Sequence, residues 1–153
     1  MTNSHDDRNE PAGGPSRIVL SDDSEVTELT PEQCWALLGD TGIGHLALRS
    51  QPQGVDIVPI NYLIHEQQLY FRSASGTKLV ELTEHPHVAV QVERYRDAQW
   101  SSVVVKGRAE RLAFDDEILA SGVTRLLTSG PGEKANYVRI VPETITGRSF
   151  PSR

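Results

Sequence analysis

The sequence predicts a mainly β protein built as a six-stranded antiparallel barrel. Six segments carry strand chemistry, most of the links between them have hairpin length, and the helical segments are few and short. Long helices do not alternate regularly with the strands, which argues against a parallel, doubly wound sheet. An antiparallel sheet that closes into a small barrel fits this order.

The composition indicates one soluble domain. The chain has 153 residues, enough to bury a core without disulfides or metals. The single cysteine, Cys34, excludes a disulfide framework and a multi-cysteine metal site, and we interpret it as a packing residue. No apolar run approaches the roughly 20 residues of a membrane span, and Met1–Glu10 is too polar for a secretory signal peptide. We therefore expect a cytoplasmic protein with no membrane partner.

The N-terminal segment differs from the rest of the chain. Residues 1–25 carry six acids and two bases, a net charge of −4, whereas residues 26–153 carry 15 acids and 13 bases, a net charge of −2. The segment has one short apolar patch, Ile18–Leu20, so we predict a disordered acidic tail over residues 1–25 and a barrel domain over residues 26–153. Because the chain has no basic stretch, nucleic acid is not an expected partner.

The first half of the domain begins with a capping signature. Thr30–Gln33 combines an N-cap threonine, a first-turn proline and a capping-box glutamine, and predicts a short helix that ends at Gly39. Pro59 lies within a strand-like segment and predicts an edge position or a bulge there. The three strands predicted in this half are Gly42–Arg49, Val55–Ile64 and Leu69–Ser73.

The second half follows the order helix, two strands, helix, strand. A Gly/Pro loop over Thr128–Lys134 precedes the last strand. The predicted bounds of these five elements are Thr77–Thr83, His87–Arg94, Ser101–Leu112, Asp115–Leu127 and Tyr137–Gly147.

The junction between the third strand and the following helix is the first candidate binding site. A helix N-terminus presents free N–H groups to phosphate. Ser73, Ser75 and Thr77 add hydroxyl donors. Arg72 and Lys78 add positive charge. This spacing is looser than a nucleotide-binding loop, so a second interpretation stays open: Ser75 or Thr77 caps the helix, and the two bases are solvated.

Two further segments are candidates for contact with a planar ligand. The strand that contains Pro59 would leave backbone groups unpaired, and the Asn61 amide can meet the polar edge of a ring. Asn61 also fits a solvent-facing edge or a bulge. Trp100, which precedes Ser101 and Ser102, can stack on a ring, cover an interface or start a strand as a half-buried aromatic. The histidines lack metal-ligand spacing, so no metal site is predicted.

An ordered set of segments resembles the flavin-binding split-barrel superfamily, the pyridoxamine 5′-phosphate oxidase-like proteins. The resemblance covers about residues 28–150. It implies a six-stranded antiparallel split barrel, a homodimer, and FMN in a groove at the dimer interface. The segments that carry it are Gly44–Ala47, Val58–Tyr62, Leu69–Ser73, Gly76–Lys78, Trp100–Val103, Lys106–Glu110, Val138–Pro142 and Thr146–Arg148.

The resemblance also implies roles for eleven residues, arranged in three groups. The first group would run along the isoalloxazine ring, the second would hold the phosphate, and the third would approach from the interface side. No side chain need act as a nucleophile, because a flavin carries the hydride chemistry itself. The groups are Val58, Pro59, Ile60 and Asn61; Arg72, Ser73, Thr77 and Lys78; and Trp100, Ser101 and Ser102.

We expect an FMN-dependent oxidoreductase that acts on an unidentified small molecule. Residues 148–153 do not show the arginine- and tryptophan-rich segment of pyridoxamine-phosphate oxidases, so vitamin B6 oxidation is not expected. Two alternatives stay open. One is a deazaflavin-coenzyme-dependent reductase, and the other is a non-enzymatic module that binds flavin, or haem through a histidine. Tyr62 and Trp100 are expected to be exposed aromatics that a second copy of the chain would cover.

Overall fold

The computed structural model of the protein describes residues 25–74, 76–126 and 136–152. Seven strands and three α-helices make up these residues, with a 3-10 helix over Val123–Arg125. The strands are β1 (Thr27–Leu29), β2 (Thr41–Ser50), β3 (Gly54–His65), β4 (Gln68–Ser73), β5 (His87–Arg96), β6 (Gln99–Arg111) and β7 (Asn136–Pro151). The helices are α1 (Pro31–Leu38), α2 (Thr77–Glu84) and α3 (Asp115–Ser121).

Six strands close into an antiparallel ring in the order β7-β4-β3-β2-β5-β6, because β6 also pairs with β7. The predicted mainly β fold and its six-stranded antiparallel barrel are confirmed. The structure adds β1, a three-residue strand that pairs with β7 outside the ring. Thr27–Leu29 is too short to show an alternating pattern, so no local signal predicts it.

Along each strand of the barrel wall, residues point alternately into the interior and toward the outer surface. On β2, Gly44, Leu46 and Leu48 are buried, whereas Ile43 and His45 are exposed. Two helices close the interior, because α1 contributes Cys34 and Leu38 and α2 contributes Leu79 and Leu82 to the same core. The fully buried Cys34 agrees with its predicted packing role. A second, smaller cluster lies outside the barrel wall and contains Tyr70, Leu112, Val123 and Leu126.

The predicted elements agree with the structure apart from their ends. The capping box of α1 is present: the Thr30 N–H donates to Gln33 Oε1 over 2.9 Å, and the Gln33 N–H donates to Thr30 Oγ1 over 3.2 Å. The third helix was predicted to reach Leu127, but α3 ends at Ser121. The reason is Gly122, whose left-handed conformation (φ 78°) ends the helix. The predicted Thr128–Lys134 loop and all of the predicted tail except Glu25 lie outside the described residues.

Candidate functional site

The alternation along β3 separates the four predicted ring-binding residues into two pairs. Ile60 is buried in the barrel core and Val58 packs against that core. Pro59 is exposed and Asn61 is half-buried, so both lie on the outer surface. A ligand on this strand would therefore meet Pro59 and Asn61 directly, and it would meet Val58 and Ile60 only through their backbone.

The ladder between β3 and β4 is short, and its end defines the candidate site. It pairs Leu63 with Tyr70 and continues only toward the hairpin turn. The same register, extended the other way, would place Asn61 opposite Arg72. Within the described residues, the stretch of β3 before Leu63 has ladder partners on β2 alone, and the register to β2 is continuous through Pro59. Pro59 therefore occupies the predicted edge position, and the alternative of a bulge is wrong.

Arg72 is held at the outer surface of the barrel beside this edge. Its guanidinium donates from Nη1 to the carbonyl oxygen of Leu126 over 3.3 Å. It also lies over the ring of Tyr137, 5.6 Å from the centroid, a cation–π arrangement. Its neighbour Phe71 points into the barrel core. Arg72 is thus half-buried and held by these contacts. It is not the solvated base that the second interpretation of the sequence expected.

The start of α2 lacks the features that normally stabilise a helix N-terminus. Its N-cap is Gly76, and no side chain caps the first turn. The first turn carries no acid, in contrast to α1 and α3. It carries Lys78 instead, a cation at the positive end of the helix dipole, which is unfavourable unless an anion is nearby. Thr77 and Lys78 are exposed, and a Cβ on Gly76 would meet no atom within 4 Å.

This geometry tests only part of the second interpretation of the junction, and a phosphate site here stays a prediction. Thr77 does not cap α2, and Ser75 lies outside the described residues. The Ser73 hydroxyl donates to the Ala74 carbonyl oxygen over 3.0 Å. The first-turn N–H groups of α2 thus begin directly after the strand that holds Arg72. Such an arrangement can bind a phosphate.

The third predicted group lies on β6, away from this junction. Ser102 points outward and accepts a hydrogen bond from Gln91 Nε2 over 3.2 Å. Ser101 points inward, and its hydroxyl donates to Ser149 Oγ over 3.3 Å. Trp100 points outward and packs on Tyr95. Residues Val58–Lys78 and Trp100–Ser102 therefore form two separate groups in one chain.

Two grooves of ligand size accompany these two groups. One, of about 430 Å³, lies beside Asn61 and is bounded by Arg125 of the 3-10 helix and by Leu126, which follows that helix. The other, of about 470 Å³, lies beside Ser102 and Arg148. They share no lining residue. Both fall within the 300–1,000 Å³ that small-molecule sites occupy.

Sequence reasoning missed several residues of these surfaces. The segment after β6 packs across β4. Only this packing brings Tyr137, Arg125 and Leu126 to the site around Asn61 and Arg72. Nothing local in the sequence signals that contact. Gln91 and Arg148 could have been found from strand alternation, because each lies on the same outer surface as Ser102.

Tyr62 contradicts the prediction of an exposed aromatic. It is fully buried in the barrel, next to Asn61 in sequence but on the opposite side of the strand. Its hydroxyl donates to the Leu38 carbonyl oxygen over 2.7 Å and accepts from Arg94 Nη2 over 3.0 Å. Burial raises the pKa of the Tyr62 phenol, and the charge and hydrogen bond of Arg94 lower it in part. The phenol is therefore a neutral structural group, not a surface for a partner.

Exposed aliphatic side chains also lie on the barrel wall. Ile43 on β2 and Val55 and Ile57 on β3 are 60%, 70% and 69% exposed. Their positions alternate with core residues, and Pro59 lies in the same row of β3. We call Ile43, Val55, Ile57 and Pro59 the apolar strip. It adjoins the Asn61 edge of the candidate site.

Two features are absent from the residues that the structure describes. No group of three or more His, Cys, Asp or Glu side chains is placed to hold a metal ion in the part of the chain that the structure describes. No helix within those residues is long and apolar enough to cross a membrane.

Comparison with known proteins identifies similar chains. A model of the pyridoxamine 5′-phosphate oxidase family matches residues 30–149. A candidate pyridoxamine 5′-phosphate oxidase of Corynebacterium glutamicum is 32% identical and superposes with a TM-score of 0.72; the match covers 82% of this chain and 98% of that one. An uncharacterized protein of Mycobacterium tuberculosis is 32% identical over 88 residues, which is 58% of this chain and 80% of its own.

Two structures described as FAD-binding proteins are also similar. The protein from Mycobacterium smegmatis is 30% identical with a TM-score of 0.68, and the match covers 82% of this chain and 98% of that one. The protein from Mesorhizobium loti is 28% identical with a TM-score of 0.67, and the match covers 81% of this chain and 97% of that one.

Proposed function

The chain belongs to the pyridoxamine 5′-phosphate oxidase family, and from this premise we propose that it is a flavin-binding oxidoreductase. The proposed cofactor is FMN, and the reaction is hydride or electron transfer to or from a small molecule. A bound flavin supplies the redox chemistry, while the protein binds it, orients it and excludes water. The FAD-binding relatives support a flavin over the deazaflavin coenzyme or haem.

The observation that carries this proposal is the start of α2 beside Arg72. An uncapped helix N-terminus with no first-turn acid, a lysine in that turn and a fixed arginine on the preceding strand suits a phosphate. We assign Arg72, Ser73, Thr77 and Lys78 to the phosphate. Arg72 and Lys78 would contribute charge-assisted hydrogen bonds, and Thr77 a hydroxyl donor.

The edge of β3 would receive the ring. Pro59 and Asn61 offer an outward surface, and Asn61 can donate to and accept from the polar edge of an isoalloxazine. Val58 and Ile60 anchor this strand in the core, which would hold the edge rigid. No side chain here is assigned a nucleophilic role.

We also propose that the protein is a homodimer with the flavin between its copies. The predicted cofactor residues form two separate groups in one chain. A second copy can bring the side chains of Trp100 and Ser102, and the backbone of Ser101, to the flavin. The apolar strip adjoins the ring-binding edge and exposes aliphatic area that an interface would bury. Both observations support a site shared by two copies.

The first test is the visible spectrum of the purified protein, before and after incubation with excess FMN and gel filtration. Retained flavin absorption at one flavin per chain is the expected result. Bleaching of that absorption by a reduced nicotinamide nucleotide without oxygen would support the oxidoreductase. Retained flavin that exchanges electrons with no common donor would favour a non-enzymatic module. A protein that keeps no flavin, but keeps a deazaflavin coenzyme or haem, would contradict the proposal.

A further inference from the structure

Three aromatic side chains form a row across neighbouring strands at one end of the barrel wall. Tyr95 on β5 is paired in register with Trp100 on β6, and Trp100 is paired with Phe150 on β7. They are 56%, 39% and 39% exposed. The Tyr95 and Trp100 rings are 4.9 Å apart and tilted by 45°. We call these three residues the aromatic row.

The aromatic row is not part of the barrel core. Along β6 the buried residues are Val103 and Val105, whereas Trp100 alternates with them and lies on the outer surface with Ser102. Phe150 lies on that same surface with Arg148, two residues earlier on β7. The row is therefore an exposed platform of ring faces.

A cation and a groove adjoin this platform. Arg148 is exposed and, within the described residues, has no carboxylate at ion-pair distance. It lines the groove of about 470 Å³ together with Ser102 and Thr146. Glu28 lines the groove as well and is paired with Arg148 in register on β1. A ligand along this surface would meet aromatic faces at one end, and a guanidinium, two hydroxyls and the Glu28 carboxylate at the other.

We infer that the aromatic row and Arg148 bind the adenylate half of a dinucleotide. A purine stacks on aromatic side chains through its π face, and a guanidinium is the best-matched side chain for a phosphate. A purely apolar ligand would make no contact that needs the Arg148 charge. An adenylate would contact both the aromatic rings and the Arg148 guanidinium. The inference rests in part on the proposed function, because one source of the adenylate is FAD in place of the proposed FMN.

Two dinucleotides carry this chemistry. FAD extends FMN by an adenylate, so the platform would make FAD bind more tightly than FMN. A nicotinamide dinucleotide that serves as electron donor would use the same platform. The shared chemistry is a purine ring with an anionic phosphate, and AMP is the smallest probe that carries it.

The experiment measures the dissociation constants of AMP, FMN, FAD and NADPH by calorimetry for the full chain. The variants are Phe150→Ala, Phe150→Leu and Arg148→Gln, and none of these residues is assigned to the flavin itself. Phe150→Leu keeps apolar area but removes the ring, and Phe150→Tyr restores the ring. Phe114→Ala is the matched control, because Phe114, the N-cap residue of α3, is an aromatic side chain with 70% exposure.

We expect AMP to bind, and each of the three variants to weaken it at least tenfold while Phe114→Ala and Phe150→Tyr leave it within twofold. A parallel loss for FAD but not for FMN identifies FAD as the source. A parallel loss for NADPH alone identifies the nicotinamide dinucleotide. No AMP binding, or equal AMP affinity for Phe150→Leu and the unchanged protein, overturns the inference. A change of oligomeric state in Phe150→Ala without any nucleotide effect also overturns it.

This design separates the inference from the proposed function. If neither FMN nor FAD binds, the flavin proposal is contradicted. The AMP titration would still test the aromatic row. If FMN binds and AMP does not, the flavin proposal is supported and the inference about the aromatic row is overturned.

Discussion

The Tyr62 hydroxyl donates a hydrogen bond to the carbonyl oxygen of Leu38 over 2.7 Å, and so joins β3 to α1, one of the two helices that close the barrel. Leu38 is the last residue of α1, where carbonyl groups have no partner inside the helix. Arg94 Nη2 donates to the same hydroxyl over 3.0 Å. Gly42 leaves room for this arrangement, because a Cβ there would lie 2.5 Å from the Tyr62 oxygen.

Tyr62→Phe is expected to destabilise the protein by about 1–3 kcal/mol, because it leaves the buried Leu38 carbonyl without its donor and removes an acceptor from Arg94. Urea unfolding measures the change. Tyr95→Phe is the control: Tyr95 is 56% exposed, and its loss of a hydroxyl should cost less than about 0.5 kcal/mol. Equal losses of stability in the two variants would show that the hydrogen bonds of the Tyr62 hydroxyl do not stabilise the fold.

Alkaline pH should reduce stability through the same residue. Burial raises the pKa of the Tyr62 phenol above its usual value, with Arg94 lowering it in part. A raised pKa in the folded state means that the stabilisation is complete below the pKa of unfolded tyrosine, about 10, and is lost as the pH rises through the folded value. The free energy of unfolding should therefore fall more steeply above that pH in the unchanged protein than in Tyr62→Phe. Parallel pH profiles would contradict this.

Much of the fold could be predicted because its signals are local. The capping box at Thr30 and the alternation along Gly42–Arg49 each act within a few residues, and each element formed as its local chemistry indicates. The end of α3 could not be placed as well. Its apolar pattern continues past Gly122, and only the left-handed conformation of that glycine stops the helix.

The candidate site could be predicted only in part. The Pro59 edge and the α2 junction are visible in sequence, because a proline and a strand-to-helix turn are local features. The contact of Arg72 with Leu126 joins residues 54 positions apart and follows from how the segment after β6 packs on the barrel. Likewise, Tyr62 has the same local pattern as an exposed edge aromatic, and only the closed barrel buries it.

Gly147→Ala should destabilise the protein by about 1–3 kcal/mol through overpacking. A Cβ at this position would lie 2.7 Å from Cys34 Sγ and 3.1 Å from Leu29 Cδ1. Cys34→Ala removes the sulfur, so the double variant should lose less stability than the two single changes added together. Gly54→Ala is the control, because its nearest atom is the hydroxyl of the movable Ser50 side chain. Additive losses in the unfolding experiment would contradict direct contact.

Lys78→Ala should have two effects of opposite sign if α2 holds a phosphate. Without flavin it should stabilise the protein by about 0.3–1 kcal/mol, because it removes a cation from the positive end of a helix. With FMN it should weaken binding by about 1.5–3 kcal/mol, because a charge-assisted hydrogen bond is lost; adding Thr77→Ala should weaken it further. Lys106→Ala, an exposed lysine on β6, is the matched control. Unchanged FMN affinity would remove Lys78 from the phosphate site.

Ile57→Lys tests the proposed homodimer through the apolar strip. Ile57 is 69% exposed in the single chain, so a lysine there should leave folding unchanged. In a dimer that buries the strip, the same lysine would place a charge without a partner in an apolar interface, and we expect the dimer to weaken at least about tenfold, or 1.4 kcal/mol. Sedimentation equilibrium measures the dimer. Leu119→Lys, on α3 with 68% exposure, is the control and should leave association unchanged. If the unchanged protein is a monomer, the proposed dimer is excluded. If only Leu119→Lys disrupts the dimer, the interface lies away from the apolar strip.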